Sequence, residues 1–202
     1  METVQRIVSS HSSGSSQQPE YQHTIVHRIL ESSLPPVEKS VLRLSNEIGS
    51  ITGAAFETTA QSLRFILYHI YSNPQVLERL RTEIAGTYTE TDVKQNALSL
   101  KRFEQLPYLT AVLMEGLRLN PGVASRLARI APDRDLFYDN KWKIPAGTPV
   151  GMTTFLLHTN ETVYPDPMRF DPDRWMDLDK RKNADRTWIP FSRGTRICLG
   201  MQ

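Results

Sequence analysis

Residues 191–200 read FSRGTRICLG, Phe191 to Gly200, and hold Cys198, the only cysteine among 202 residues. With no second cysteine, an intrachain disulfide is excluded. The thiol can serve as a small buried hydrophobe, as a nucleophile, or as a metal ligand through its thiolate. Zinc would need further thiolate or imidazole partners at short spacing, and the nearest histidine, His158, is forty residues away. No particular base stands beside the cysteine to make it a nucleophile.

Heme iron asks less of a protein, because the porphyrin supplies the equatorial ligands and one thiolate suffices as the axial one. The residues around Cys198 suit that task. Gly194 and Gly200 let backbone come close to a flat ring. Arg193 and Arg196 would stabilise a thiolate and pair with propionates. Phe191 can pack against a macrocycle.

Working outward, the composition is that of a globular chain: 39% hydrophobic, 23% charged, with 24 basic against 22 acidic residues and a net charge of +2. That balance gives no electrostatic reason to expect a nucleic-acid partner. The polar start, METVQRIVSSHSSGSSQQPE, lacks a signal-peptide apolar run, and FILYHIY (65–71) is too short to span a bilayer. Ser9 to Glu20 is rich in Ser, Gln and Gly, so residues 1–20 are expected as a disordered or loop segment.

A helix is expected from His23 to Ser32, stopped by Pro35-Pro36. From Val37 to Ser72 apolar residues recur at helical spacing without a breaker: Leu42, Leu44, Ile48, Ile51, Ala55, Leu63, Ile66 and Ile70. Asn73-Pro74 ends that rod. Gln75 to Ala85 and Pro107 to Leu119 are further helices, the latter stopped by Asn120-Pro121-Gly122. Short strands are expected at 126–130, 137–138, 141–144 and 149–153, with turns at Asp139-Asn140 and Pro145-Ala146-Gly147. Beyond Tyr164, YPDPMRFDPDRW can form neither a long helix nor a central strand.

Two further patterns carry chemistry. ITGAAFETTA (51–60) sets Ala54 and Ala55, almost without side chains, just before Glu57, Thr58 and Thr59. A threonine inside a helix can bond the carbonyl one turn back and loosen the ladder. MEGLRLNP (114–121) places Glu115 and Arg118 on one helix face amid Val112, Leu113, Leu117 and Leu119. A buried pair of that kind needs further hydrogen bonds, and Arg174 of FDPDRW is a candidate to complete it.

Together these motifs resemble the cytochrome P450 family of heme-thiolate monooxygenases. FSRGTRICLG matches the family's Phe-x-x-Gly-x-Arg-x-Cys-x-Gly signature at every fixed position. ITGAAFETTA is similar to its Ala/Gly-Gly-x-Asp/Glu-Thr-Thr motif, with Ala55 where glycine is usual. Glu115 and Arg118 match its Glu-x-x-Arg helix, and Pro172-Asp173-Arg174-Trp175 its Pro-Glu-Arg-Phe/Trp loop, with Asp173 for Glu.

The resemblance implies a mainly α fold with a small β-sheet region: a partial cytochrome P450 fold with a long central helix, the Glu-x-x-Arg helix and the cysteine heme loop. Residues 21–202 would form this partial domain, without the family's N-terminal half or the helix after the cysteine. It implies heme b, its iron held by the Cys198 thiolate, with Phe191, Arg196 and Gly200 around the cofactor. Arg129 would bind a propionate, with Arg126 as rival. Thr58 would hydrogen-bond dioxygen at the iron, and Glu57 would relay protons. Glu115, Arg118 and Arg174 would be structural, and His158 a packed or surface residue.

The implied reaction inserts one oxygen atom from O2 into a small apolar organic substrate, with electrons from NADPH-cytochrome P450 reductase. The flavour of AAFETT and PDPMRFDPDRW resembles fungal members of secondary metabolism. The alternative is a truncated, catalytically inactive remnant; a helical interaction module with Cys198 as core filler is a third reading. Family members are bound to the endoplasmic-reticulum membrane, whereas this chain, lacking an anchor or signal, is expected to be cytoplasmic or membrane-peripheral.

Overall fold

Proline and capping side chains set most helix boundaries in the computed structural model, which describes residues 1–12, 24–89, 91–92 and 99–201. The chain divides into two compact units, residues 1–57 and 58–202.

In the first unit, α1 (Glu2–Ser12) and α2 (Ile25–Glu31) precede a 3-10 turn, Pro36–Lys39, and the start of α3 (Val41–Ser72). The expected loop over 1–20 is helical as far as Ser12. Val4, Ile7 and Val8 fall at helical spacing, and Val4 and Ile7 bury against Val26 and Leu44. Residues 13–20, like His23 at the expected start of the second helix, lie outside the described residues. Thr24 caps α2 through a bond from the His27 backbone N–H. Lys39 Nζ closes the other end, donating to the carbonyls of Leu30 at 2.9 Å and Ser32 at 2.6 Å.

The rod expected from Val37 begins at Val41. Pro36 opens a separate 3-10 turn, and Ser40 is extended (φ −64°, ψ 149°). Ser40 then serves as the N-cap of α3, its carbonyl accepting from Leu44 N at 2.9 Å. The 32 residues of α3 make a helix of about 48 Å at 1.5 Å per residue.

The second unit takes the rest of α3, then α4 (Pro74–Ala85), α5 (Leu100–Phe103) and α6 (Pro107–Leu119). Asn73 Oδ1 caps α4 by accepting from Gln75 N and Val76 N. Ile66 and Ile70 of α3, Val76 and Leu80 of α4, and Tyr108 and Val112 of α6 form one core cluster. Helices α3 and α6 approach so closely that a Cβ added at Gly116 would overlap Ile66 Cγ1.

Beyond α6 regular structure thins. Strands β1 (Leu136–Tyr138) and β2 (Trp142–Ile144) pair antiparallel in the register Leu136↔Ile144. The three-residue connection, 139–141, places both Asp139 and Asn140 at positive φ, 52° and 53°, a region that Asp and Asn enter more readily than other residues with a side chain. The strands expected at 126–130 and 149–153 shrink to one bridge, Arg129↔Val150. Residues 126–130 are all exposed, so Leu127 and Ile130 bury no face that would hold a longer pairing. Helix α7 (Thr154–His158), a 3-10 turn at Pro172–Trp175 and α8 (Leu178–Thr187) lead to the cysteine loop. Ala111, Tyr164, Trp175 and Ala184 form a second cluster of this unit. The outcome is a mainly helical chain with a two-stranded sheet. Among the described residues, no helix is long and apolar enough to cross a membrane.

Candidate functional site

Glu115 lies on α6 with no solvent exposure, and its carboxylate is saturated. Oε2 accepts from Arg118 Nε at 2.8 Å and from Trp175 Nε1 at 2.9 Å. Oε1 accepts from Arg118 Nη2 at 2.8 Å, Arg174 Nε at 2.9 Å and the backbone N of Asp171 at 2.9 Å. The two guanidiniums spend their remaining hydrogens on backbone: Arg118 on the carbonyls of His158 (2.7 Å) and Arg169 (3.3 Å), Arg174 on that of Pro165 (3.2 Å). One anion thus meets two cations, and the surplus positive charge faces carbonyl oxygens. Full pairing is what makes buried charge tolerable. Asp173 stands apart from this set; it is exposed and pairs with Arg79.

His158 is held on both ring nitrogens. Ile189 N donates to Nε2 at 3.0 Å, so Nδ1 carries the proton and donates to the Arg118 carbonyl at 2.9 Å. Burial, followed by the nearby Arg118 charge, lowers its pKa from the ordinary 6.5 to about 4. With both nitrogens engaged, it is a packed residue tying α7 to the start of the cysteine loop.

That loop also rests on aromatic rings. Trp175 meets Trp188 edge-to-face at 6.2 Å, and Trp188 meets Phe191 likewise at 6.4 Å. Trp188 Nε1 donates to the Met114 carbonyl at 3.0 Å. Contacts therefore run from Glu115 through Trp175 and Trp188 to Phe191, the first residue of FSRGTRICLG. Cys198 N donates to the Phe191 carbonyl at 2.9 Å and closes the loop. Ser192 and Gly194 make its bend at positive φ, 67° and 78°; the second costs a glycine little.

Cys198 itself is exposed, which removes the reading of it as a small buried hydrophobe. A Cβ added at Gly200 would stand 4.0 Å from its sulfur, so glycine there leaves one flank of the thiol open. Arg196 and Gly200 are exposed and Phe191 is half-buried. Beside the loop, an open cleft of about 530 Å³ is lined by apolar Leu127, Ile130, Val150 and Ile189 and by Arg129 and Arg193. Arg129 is exposed and its Nη1 donates to the Leu127 and Ala128 carbonyls at 3.3 and 3.4 Å. Cys198 is not among the residues lining that cleft. The donor set fits a heme: one accessible sulfur, a glycine beside it, and arginines near an apolar cleft for anionic edges. Its exposure is unlike the dry setting in which an axial thiolate is tuned.

On α3, Thr58 packs toward the turn after α6, with its Cβ 3.6 Å from where a Gly122 side chain would begin. Gly122 has φ 71°, so its conformation favours glycine, although a Cβ there would meet Thr58 only at ordinary contact distance. Asn120 Nδ2 donates to the Gln61 carbonyl at 3.3 Å, which satisfies a helix carbonyl one turn along from Thr58. Glu57 is exposed, as are Ala54 and Ala55. The structure thus unites Glu115, Arg118 and Arg174, and ties Phe191 to Cys198. Thr58 lies beside Gly122.

Some positioning residues were not singled out from sequence. Glu83 of α4 caps α6 from outside, accepting from Tyr108 N and Leu109 N at 2.8 Å each. Leu106, the local N-cap, offers no side-chain acceptor, which was the one available hint. Trp188 is another such residue; a tryptophan ahead of a cysteine motif signals only a large apolar ring.

Comparison with known proteins bears on the whole chain. Residues 2–202 match the family model for Cytochrome P450. A cytochrome P450 monooxygenase of Aspergillus flavipes is 45% identical over 180 residues, covering 89% of this chain and 36% of that protein. A tryptophan 6-hydroxylase of Fusarium equiseti is 40% identical over 178 residues, 88% of this chain and 34% of that one. A fusicoccadiene C-8 hydroxylase of Phomopsis amygdali is 38% identical over 179 residues, 89% and 33% respectively. The chain spans about a third of the length of these relatives.

Proposed function

The chain belongs to the cytochrome P450 family, an oxidoreductase family, and from that premise we propose that it carries the proximal side of a heme-thiolate monooxygenase. In this reading the Cys198 thiolate would hold the iron of heme b. When bound, the heme supplies the metal centre at which O2 is activated, with thiolate donation favouring O–O cleavage. The reading rests on one observation above the others: the sole cysteine sits accessible on a loop anchored, through Phe191, Trp188 and Trp175, to a saturated buried carboxylate.

The chain's own residues then take separate tasks. Arg193 and Arg196, on the cysteine loop, supply positive charge for the anionic edges of a heme. Arg129 pairs with a propionate after releasing the carbonyls it now holds. Phe191 and Gly200 shape the space beside the sulfur. Thr58 holds a hydroxyl proton on α3, and Glu57 passes protons between that helix and water. Glu115, Arg118 and Arg174 fix the backbone behind the loop, so the sulfur keeps its place.

The substrate proposed is a small apolar organic molecule of fungal secondary metabolism, and the electron donor is NADPH-cytochrome P450 reductase. Two of the relatives hydroxylate tryptophan and fusicoccadiene. The exposed thiol favours a second reading, a heme-binding chain without turnover. Reconstitution with heme, reductase and NADPH under 18O2, with a panel of apolar substrates, separates the two. The proposal expects a product carrying one labelled oxygen; heme uptake with no labelled product supports the second reading.

A further inference from the structure

Within the first unit, α1 packs on α2 and brings together side chains that the heme reading does not use. We propose that His11, His27 and Glu31 form a binding site for a divalent transition metal, with zinc as its best-suited cation.

His27 lies on α2 and is only 7% exposed, yet its Nδ1 is buried and has no hydrogen-bond partner among the described residues. A buried ring nitrogen without a partner departs from the rule that buried polar atoms are paired. Its neighbours supply what a metal would need. The His11 ring, in the last turn of α1, approaches the His27 ring edge-on, with centroids 5.3 Å apart. Glu31 follows His27 by one helical turn on α2, which puts both side chains on the same face. One ligand atom from each of the three residues lies within 4.8 Å of the others.

Two imidazoles and a carboxylate are a known zinc donor set that leaves a fourth position for water. Bonds of roughly 2.0–2.1 Å at tetrahedral angles bring ligand atoms to roughly 3.4 Å from one another. The side chains must therefore draw together, and two of them can. Glu31 is exposed, and His11 sits half-buried next to the helix end at Ser12. The nearby ammonium of Lys39 does not compete for the carboxylate, because it is held by the Leu30 and Ser32 carbonyls. A metal here would pin α1 to α2 through contacts from both.

Calorimetric titration of the whole 202-residue chain with zinc tests the site, with cobalt as a spectroscopic probe. The parent should bind one zinc per chain, and the cobalt form should show the visible bands of a tetrahedral nitrogen and oxygen site. His11→Ala and Glu31→Gln, both at partly exposed positions, should each weaken binding at least 10-fold. Cys198→Ser should bind as the parent does. Absence of stoichiometric zinc binding overturns the proposal, as does equal affinity in His11→Ala and Glu31→Gln. Loss of binding in Cys198→Ser overturns it too, since the metal then sits at the sulfur. A His27→Ala chain that folds, judged by its far-ultraviolet circular dichroism, should lose the site altogether; unchanged binding contradicts it.

Discussion

Arg174 Nε lies 2.9 Å from Glu115 Oε1, although 59 residues of chain separate them. The bond joins the 3-10 turn at Pro172–Trp175 to the middle of α6 and fixes the segment that leads to the cysteine. Removing Glu115 strands two cations where water scarcely reaches them, whereas removing Arg174 leaves the carboxylate its pair with Arg118.

Replacing Glu115 with Gln should therefore destabilise the chain by about 3–5 kcal/mol, the range found when a buried ion pair loses one member. Arg118→Ala should cost a similar amount and also prevent heme retention. Urea denaturation, read by tryptophan fluorescence, checks the first, since Trp175 touches the carboxylate. The Arg118→Ala chain holding heme as well as the parent would contradict the second.

His158 predicts an acid-sensitive fold. Unfolded, its imidazole gains a proton below about 6.5; folded, only below about 4. Across that interval the unfolded state binds more protons, so stability is full above pH 6.5 and falls as pH drops toward 4. Integrated, the loss is about 3 kcal/mol at 1.36 kcal/mol per pH unit. Urea midpoints between pH 7 and 4 should fall more steeply for the parent than for His158→Asn. Parallel curves would show that His158 does not carry the effect.

Gly116 has no room for a side chain, since its added Cβ would overlap Ile66 Cγ1. Gly116→Ala should cost about 1–3 kcal/mol through overpacking, despite the better helix propensity of alanine. Shortening the opposing residue in Gly116→Ala/Ile66→Ala should recover part of that loss relative to the sum of the single changes. Strict additivity in thermal denaturation would place the clash elsewhere.

Glu83 accepts from both Tyr108 N and Leu109 N at 2.8 Å. Glu83→Ala should lose about 0.5–2 kcal/mol, as for other lost N-caps. Glu83→Gln, which keeps one acceptor oxygen, should lose less. Hydrogen exchange at Tyr108 and Leu109 would report the uncapping directly; unchanged protection there would argue against it.

Much of this architecture was legible in local pattern. Pro107 and Asn120 bound α6 as expected, and the Asp139-Asn140 turn joins β1 to β2. Residues that meet at long range were legible only where motif spacing reported them, as with Glu115 and Arg174. Glu83 and Ile66 left no such trace, because capping from another helix and close helix crossing follow from packing alone. Helix α1 replaces the expected loop because burial of Val4 and Ile7 outweighs the weak helix preference of Ser9, Ser10 and Ser12 at its end. The rod begins four residues later than its period suggests, because period alone cannot separate a 3-10 turn from an α-helix. Cofactor, substrate and redox partner came from motif resemblance rather than from spacing or charge.

The most direct test of the central claim is the carbon-monoxide difference spectrum of the reduced, heme-reconstituted chain beside its Cys198→Ser variant. Ligation by Cys198 predicts the far red-shifted Soret band of a thiolate-bound iron in the parent and its disappearance in the variant. Identical spectra from the two, or a parent that takes up no heme, would contradict it.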